Sequence, residues 1–443
     1  MRIVIIGAGA VGSYLAERLS AEGQDVVVIE SDEDVAAQLQ TSVDCLVVTG
    51  NGASPAVLEE AGLRDADLLI AVTTLDAVNI LACNAAVRFG VPQKVARVTD
   101  PGLREGLAEL GVDFIIDPEE AAAREVVLVT TRVGVSELTE FADGKLLLIG
   151  AFIDPDASIV GTTLAELREM VSGWDWLVVA IIREGETLIA RGSTVIEARD
   201  HVLLMAKAGR TEEATRLLGL RTARLSKVVI LGGTRIARLT AAALVEEGIQ
   251  TVLIEEDRDR CVDIAEANPK LTVICGDPTD PKVLLAEGVN RADAVLGLTG
   301  WDDRNILGGL IAKKMGVGTT VVRLTRLELV KALPAGVGID VTVSPRWAAA
   351  SEILRFVRRG HIFSVVTFHD SAAEAIELEI GPSSPAIGST LADIKLPRSL
   401  IVGGVQRGDD AFVPRGSTRI EEGDHLIVIA RPEAIGAAEK LSG

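Results

Sequence analysis

Short apolar runs alternate with longer Ala- and Leu-rich stretches through residues 1–118. The stretch 11–19 repeats its apolar residues at helical spacing, which predicts a helix directly after the first run. Runs with the length and β-branched content of buried strands stand at 2–6, 25–29, 67–71 and 94–98. Strands and helices that alternate in this way predict a parallel sheet covered by helices.

The pattern changes after a connecting helix and linker at 119–143. From 144 to 208, strand patterns follow one another with turn residues between them, and one helix is expected near Leu164. This stretch predicts a small α+β domain.

The whole pattern then repeats at an offset of 224 to 227 positions. Arg2–Gly12 reappears as Lys227–Ala237, and residues 50–81 share 12 of 32 positions with 276–307. Later matches keep the same order, such as Asp200-His201 and Asp424-His425. An ordered ladder of matches along the full length indicates an internal duplication.

The duplication predicts an α/β protein of two tandem units. Each unit is a Rossmann-like, parallel-sheet N-lobe followed by a small α+β C-lobe. The expected bounds are 1–118 and 136–219 for the first unit, and 226–344 and 361–443 for the second.

Composition narrows the class of function. The net charge of −20 disfavours binding to nucleic acid or directly to anionic lipid. The apolar stretches are much shorter than a membrane-spanning helix requires, and the chain opens on a strand pattern rather than on a secretion signal. These observations predict a cytoplasmic location.

The first unit opens on a glycine-rich loop. Gly7, Gly9 and Gly12 form G-x-G-x-x-G between a strand and a helix, with Glu30 at the end of the next strand. This is the dinucleotide fingerprint, in which the loop and the helix N-terminus receive a pyrophosphate. Glu30 would accept hydrogen bonds from ribose and repel a 2′-phosphate, which favours NAD or an adenosine nucleotide over NADP. The alternative is a nucleotide-free fold that keeps its glycines for packing.

Polar residues follow the next strand as well. Thr73 and Thr74 lie at its carboxyl end, where open parallel sheets bind ligands, and Arg97 ends the neighbouring strand. Asp76 and Asn79 begin the following helix, so the polar residues here are either ligand contacts or helix caps. Arg97 could pair with a phosphate or with a carboxylate of another domain.

No catalytic set is recognisable. The four cysteines are scattered, the histidines lack metal-ligand spacing, and no nucleophile elbow or Walker lysine is found. The expectation is therefore a nucleotide sensor without a metal site and without enzymatic activity. The alternatives are an NAD-dependent oxidoreductase with a duplicated Rossmann fold and a scaffold with degenerate sites.

The chain resembles the TrkA family of RCK-domain proteins, the cytosolic regulatory subunits of Trk- and Ktr-type potassium uptake systems. The resemblance rests on Gly-Ala-Gly-x-Val-Gly at 7–12, Thr-Gly-Asn-Gly at 49–52, Ala-Val-Thr at 71–73 and Ala-Arg-Val at 96–98. It implies a ring-like homo-oligomer (dimer or tetramer) at the inner membrane face, bound to a TrkH-type potassium-translocating protein. Neither the oligomer number nor the activating nucleotide follows from it.

The same resemblance implies NAD(H) binding, with ATP or ADP as alternatives at the same site. The residues expected to bind are Gly7, Ala8, Gly9, Ala10, Val11, Gly12, Glu30, Asn51, Thr73, Thr74, Asn79 and Arg97. Their counterparts in the second unit are Gly232, Gly233, Glu255, Asp277, Thr299 and Arg323.

The second unit departs from the fingerprint. Thr234 replaces Gly9 and Ala237 replaces Gly12. The β-branched Thr234 should hold a phosphate away, while Arg235 could compensate partly by its charge. We therefore expect the first site to bind at least about tenfold tighter than the second.

Overall fold

The computed structural model describes residues 1–21, 23–131, 137–153, 155–170, 175–183, 186–210, 225–326, 329, 338–357, 362–367 and 373–442. Part of the expected linker and the ends of the expected domains at 136, 219, 361 and 443 lie outside these residues.

The first N-lobe is a parallel sheet with helices on both faces. The strands run in the order β3-β2-β1-β4-β5-β6, which confirms the Rossmann-like fold. Its strands are β1 (Arg2–Ile6), β2 (Asp25–Glu30), β3 (Leu46–Thr49), β4 (Leu68–Ala71), β5 (Gln93–Arg97) and β6 (Phe114–Ile116). Its helices are α1 (Ala10–Ala21), α2 (Glu33–Ser42), α3 (Pro55–Glu60), α4 (Asp76–Phe89) and the connecting α5 (Pro118–Thr131).

The first C-lobe is a smaller antiparallel sheet in the order β10-β9-β11-β8-β7. Arg183 holds the buried carboxylate of Asp200 through two hydrogen bonds of 2.8 Å. The elements are β7 (Glu137–Phe141), β8 (Leu146–Phe152), α6 (Leu164–Glu169), β9 (Trp176–Arg183), β10 (Glu186–Ile189) and β11 (His201–Lys207).

The second unit repeats this architecture. Its sheets run β14-β13-β12-β15-β16-β17 and β18-β19-β22-β20-β21, and Arg407 holds the buried Asp424 as Arg183 holds Asp200. The N-lobe strands are β12 (Lys227–Leu231), β13 (Gln250–Glu255), β14 (Thr272–Cys275), β15 (Ala294–Gly297), β16 (Thr319–Arg323) and β17 (Val341–Val343). The N-lobe helices are α7 (Arg235–Glu246), α8 (Arg258–Ala267), α9 (Pro281–Ala286), α10 (Asp302–Lys314) and α11 (Pro345–Val357). The C-lobe contains β18 (Ile362–Thr367), β19 (Glu374–Glu379), β20 (Leu400–Arg407), β21 (Asp410–Phe412), β22 (His425–Ala430) and α12 (Ile435–Ser442).

The two N-lobes share one apolar core. The connecting helix α5 packs against α7 of the second unit, and α11 packs against both α5 and α1 of the first. Phe114 stacks on Phe356 across this contact, with ring centroids 5.0 Å apart. Arg124 in α5 pairs with Glu352 in α11 at 2.8 Å. Each unit therefore covers the first helix of the other.

The C-lobes also pack together, through the faces of their sheets. Apolar residues of both lobes form one cluster, which includes Leu146 and Val179 of the first and Ile427 and Ile429 of the second. Within the described residues, no helix combines the length and the apolarity needed to cross a bilayer.

The shared core predicts energetic coupling between the units. Phe114→Leu and Phe356→Leu should destabilise the chain non-additively, with a coupling of about 0.5–1.5 kcal/mol for the lost ring pair. A double-mutant cycle of urea unfolding measures it. The control pairs Phe114→Leu with Phe412→Leu in the second C-lobe, which should be additive within about 0.5 kcal/mol. A coupling near zero for Phe114 and Phe356 would show that the stack does not join the units.

Candidate functional site

The glycine loop of the first unit is shaped by steric limits. Gly7 has φ +97°, a left-handed conformation that glycine adopts without strain, and its N–H donates to the carbonyl of Ile29 at 2.8 Å. A Cβ at Gly12 would lie 1.8 Å from the Gly7 carbonyl oxygen, so only glycine fits there. A Cβ at Gly9 would meet no atom within 4 Å. The space above Gly9 is thus open for a ligand, where the fingerprint expects a pyrophosphate.

Glu30 is held beside this loop as a carboxylate. It accepts hydrogen bonds from the N–H groups of Ala8 and Ser31, both at 2.6 Å, and of Asp32 at 3.0 Å. Burial alone would raise the pKa of Glu30, but these backbone donors outweigh it and lower the pKa below 4.5. The ionised side chain remains half-exposed and can accept hydrogen bonds from a sugar hydroxyl.

The side chain of Asn79 holds the ends of β4 and β5 together through hydrogen bonds. Its buried amide accepts from the N–H and hydroxyl of Thr73, at 3.0 and 2.7 Å, and donates to the carbonyls of Thr73 and Arg97, at 3.0 and 2.9 Å. With all four bonds inside the protein, Asn79 can act on a ligand only through Thr73 and Arg97.

Capping is not the role of Asp76 or Asn79. The residue that precedes α4 is Leu75, which has no side-chain cap, so the capping interpretation is wrong. Asp76 instead accepts from the N–H groups of Thr99 and Asp100, both at 2.9 Å, and ties the start of α4 to the loop after β5.

The remaining predicted residues of the first site surround the open edge. Thr74 and Asn51 are exposed, and the side-chain Oδ1 of Asn51 accepts from the Ala53 N–H at 2.9 Å. The Nε of Arg97 is buried and has no hydrogen-bond partner among the described residues. Ala8 and Val11 are buried, whereas Ala10 is exposed at the start of α1.

The loop of the second unit is closed by its own side chains. Gly232 repeats the turn of Gly7 with φ +99°. Thr234 caps α7 by accepting from the Ala237 N–H at 3.4 Å, and its hydroxyl donates to the Leu298 carbonyl at 2.7 Å. Thr234 therefore contributes to the loop itself, and its steric effect on a phosphate stays a prediction.

Glu255 is less available than Glu30. It is only 4% exposed, accepts from the Gly233 N–H at 2.5 Å, and forms an ion pair with Arg260 at 3.2 Å. Position 35, which corresponds to Arg260, is a valine in the first unit. Asp277 is exposed, and the hydroxyl and N–H of Thr279 lower its pKa.

The sheet edge of the second unit keeps the hydrogen bonds of the asparagine side chain. The guanidinium of its arginine donates to a backbone carbonyl. Asn305 bonds Thr299 and the Arg323 carbonyl as Asn79 does in the first unit. The guanidinium of Arg323 donates to the Thr299 carbonyl at 2.9 Å. Burial lowers the pKa of Arg323, and the charge of Glu119 opposes that shift.

Arg235 is engaged by carboxylates of the first unit. Its guanidinium lies 2.7 Å from Asp117, 3.3 Å from Glu119 and 3.4 Å from Glu120, while Arg104 holds Asp117 at 2.6 Å. Three carboxylates face two guanidinium groups, so the charge of Arg235 is already matched. This argues against the expectation that Arg235 compensates for Thr234.

This cluster was not identified from the sequence. Asp117 and Glu119 look like ordinary acidic residues at the start of a helix, and the contact joins residues more than a hundred positions apart. The available signal is the break in the repeat, since Ser344 and Arg346 stand in the corresponding positions of the second unit.

Models of two known protein families match both units of the chain. The TrkA-N domain model matches residues 3–118 and 228–345, and the TrkA-C domain model matches 148–219 and 375–443. The Trk system potassium uptake protein TrkA of Vibrio alginolyticus is 34% identical over 438 residues, covering 97% of this chain and 95% of the relative. The protein of the same name from Haemophilus influenzae is 32% identical, covering 100% and 98%.

Solved structures share the fold. The crystal structure of the GsuK RCK domain has a TM-score of 0.61 at 19% identity, covering 100% of this chain and 94% of that one. The GsuK channel bound to NAD has a TM-score of 0.62 at 20% identity, covering 100% and 78%.

Asn79 predicts a test of the site's framework. Asn79→Ala should lower the free energy of unfolding by about 1–3 kcal/mol, because buried partners at Thr73 and Arg97 lose their hydrogen bonds. Urea unfolding of the ligand-free chain measures this change. The exposed Asn51→Ala serves as the matched control and should change stability by less than about 0.5 kcal/mol. Equal effects of the two substitutions would contradict the role given to Asn79.

Proposed function

This chain belongs to the TrkA family, and we propose that it is the nucleotide-sensing regulatory subunit of a Trk-type potassium uptake system. NAD(H) is the proposed ligand of the first site, with ATP or ADP as alternatives. The observation that carries the proposal is the pairing of an open glycine loop with the half-exposed, ionised Glu30. The loop suits a pyrophosphate and the carboxylate suits a ribose.

A regulatory role fits the chemistry of the site better than catalysis. The polar side chains after β4 and at the end of β5 include Thr73, Thr74, Asp76, Asn79 and Arg97. Hydride transfer to or from a hydroxyl or carbonyl substrate needs a proton donor or acceptor at the reacting carbon, commonly histidine, lysine or tyrosine. The side chains present can hold a nucleotide without supplying that step.

The proposed partner is a TrkH-type membrane protein, and the proposed assembly is a ring of this chain beneath it. The chain would then be cytoplasmic and peripheral to the membrane through its partner. Regulation requires the nucleotide to bind one arrangement of the units more tightly than another. The shared core of the N-lobes supplies a contact through which such a difference could pass.

Glu30 supports a direct test of the first site. Glu30→Ala should weaken NADH and ADP binding about 10- to 150-fold, the loss expected for hydrogen bonds to a charged group worth about 1.5–3 kcal/mol. Calorimetric titration of the full chain measures it. Glu255→Ala is the matched control in the second unit and should change affinity less than about twofold. Unchanged affinity in Glu30→Ala would show that this carboxylate does not hold the ligand.

Potassium uptake tests the proposed role in transport. Cells that lack the chain should take up potassium more slowly, and the wild-type gene should restore uptake because the membrane partner needs its regulator. Glu30→Ala should restore it less well than Glu255→Ala. Rubidium uptake at equal expression measures the rates. Equal uptake with and without the chain would overturn the proposal.

A further inference from the structure

We propose that Arg346, at the start of α11 in the second unit, contributes to the nucleotide site of the first unit. It binds the phosphates that follow the one attached to the sugar. The second unit would thereby complete the nucleotide site of the first. This inference rests on the proposed function.

The internal symmetry places Arg346 opposite the first loop. Pro118 begins α5 and Pro345 begins α11, so an offset of 227 pairs Glu119 with Arg346. Glu119 reaches Arg235, the first residue of α7, at 3.3 Å. Because α11 packs on α1 as α5 packs on α7, the internal symmetry assigns Arg346 a position near Ala10 at the start of α1.

The charges at the two contacts are inverted. At the second loop, carboxylates of the first unit meet the guanidinium of Arg235. At the first loop, the corresponding positions hold Ala10 and Arg346. A small neutral residue and an arginine leave both space and positive charge where the second loop has a filled ion-pair cluster.

Two arginines of the first site have no side-chain partner among the described residues. Neither Arg346, which is half-buried, nor the guanidinium of Arg97 has a hydrogen bond or ion pair with any described residue. In the second site, Arg235 is paired with carboxylates, and Arg323 donates from a terminal nitrogen to the Thr299 carbonyl, although its Nε, like that of Arg97, has no partner among the described residues. The buried Nε of Arg97 is unfavourable without a partner, and the half-buried Arg346 adds a second positive charge that an anion would neutralise.

Ser344 adds an independent sign of an incomplete site. It occupies the position of Asp117, is 2% exposed, and its hydroxyl has no hydrogen-bond partner among the described residues. Asp117 in the same position is bonded to two arginines. At the contact between α11 and the first unit, the side chains of Ser344 and Arg346 therefore both lack a partner among the described residues.

The position of Arg346 determines which phosphates of the nucleotide it would contact. The N–H groups of the loop and of the start of α1 would receive one side of the pyrophosphate, beginning at the phosphate nearest the sugar. Arg346 belongs to the other unit and would approach the nucleotide from the opposite side of the loop. It would contact the phosphates that lie farther from the sugar. The site should then prefer ADP and NADH to AMP, with the preference supplied by the second unit.

Calorimetric titration of the full chain with AMP and ADP tests this inference. In Arg346→Ala, the Kd for ADP should rise about tenfold or more and that for AMP less than about twofold, because charge-assisted hydrogen bonds to one phosphate group are lost. Arg346→Lys should recover part of the loss. Arg124→Ala is the matched control, since it removes a cross-unit ion pair between the same helices away from the site, and it should leave both affinities unchanged.

Three results would overturn the inference alone. They are unchanged ADP affinity in Arg346→Ala, equal weakening of AMP and ADP, and a loss in Arg124→Ala as large as that in Arg346→Ala. In each case Glu30→Ala would still weaken binding, and the proposed function would stand. Failure of the wild-type chain to bind either nucleotide would overturn the proposed function together with this inference.

Discussion

The packing of each connecting helix onto the first helix of the other unit is the contact on which the rest of the molecule depends. α5 and α11 leave the edges of their own sheets and are buried against α7 and α1. Since a glycine loop precedes α1 and its counterpart precedes α7, this one contact brings the start of a foreign helix to each loop. The surroundings of the second loop therefore include residues of both N-lobes, and the same holds for the site proposed at the first loop.

Duplication within one chain allows these two contacts to differ. In a symmetric dimer of single units, a residue at the start of the connecting helix would face both loops equally. Here Glu119 and Arg346 occupy equivalent positions with opposite charge. The divergence extends into the lobes, where Glu255 is buried with Arg260 and Glu30 remains half-exposed with backbone donors. The same scaffold thus presents one loop with open space at Gly9 and one loop whose Thr234 and Arg235 are bonded to other protein groups.

The sequence was sufficient for the fold and for the geometry of the first glycine loop beside Glu30. Apolar periodicity and the repeat predicted both sheets of each unit, and the glycine spacing with Glu30 predicted the loop that the structure shows. Local patterns could not reveal what residues do across long separations. Asp76 and Asn79 look like caps at a helix start, yet they bond Thr99 and the ends of two strands. The pairing of Arg235 with Asp117 depends on the packing of two units, which no periodicity encodes.

In the proposed site, the contact made by the second unit also limits how far nucleotide binding can shift the equilibrium between arrangements of the two units. Only interactions that differ between arrangements contribute, and the contact made from the second unit is of that kind. Hydrogen bonds to one charged group are worth about 1.5–3 kcal/mol, which shifts an equilibrium between two arrangements roughly 10- to 150-fold. That range is typical of allosteric coupling between sites. Moving a population from about 1% to about 99% needs roughly 5.5 kcal/mol, so several chains of an assembly would have to respond together. Tight binding through the loop and Glu30, which belong to one lobe, adds affinity without adding to this shift.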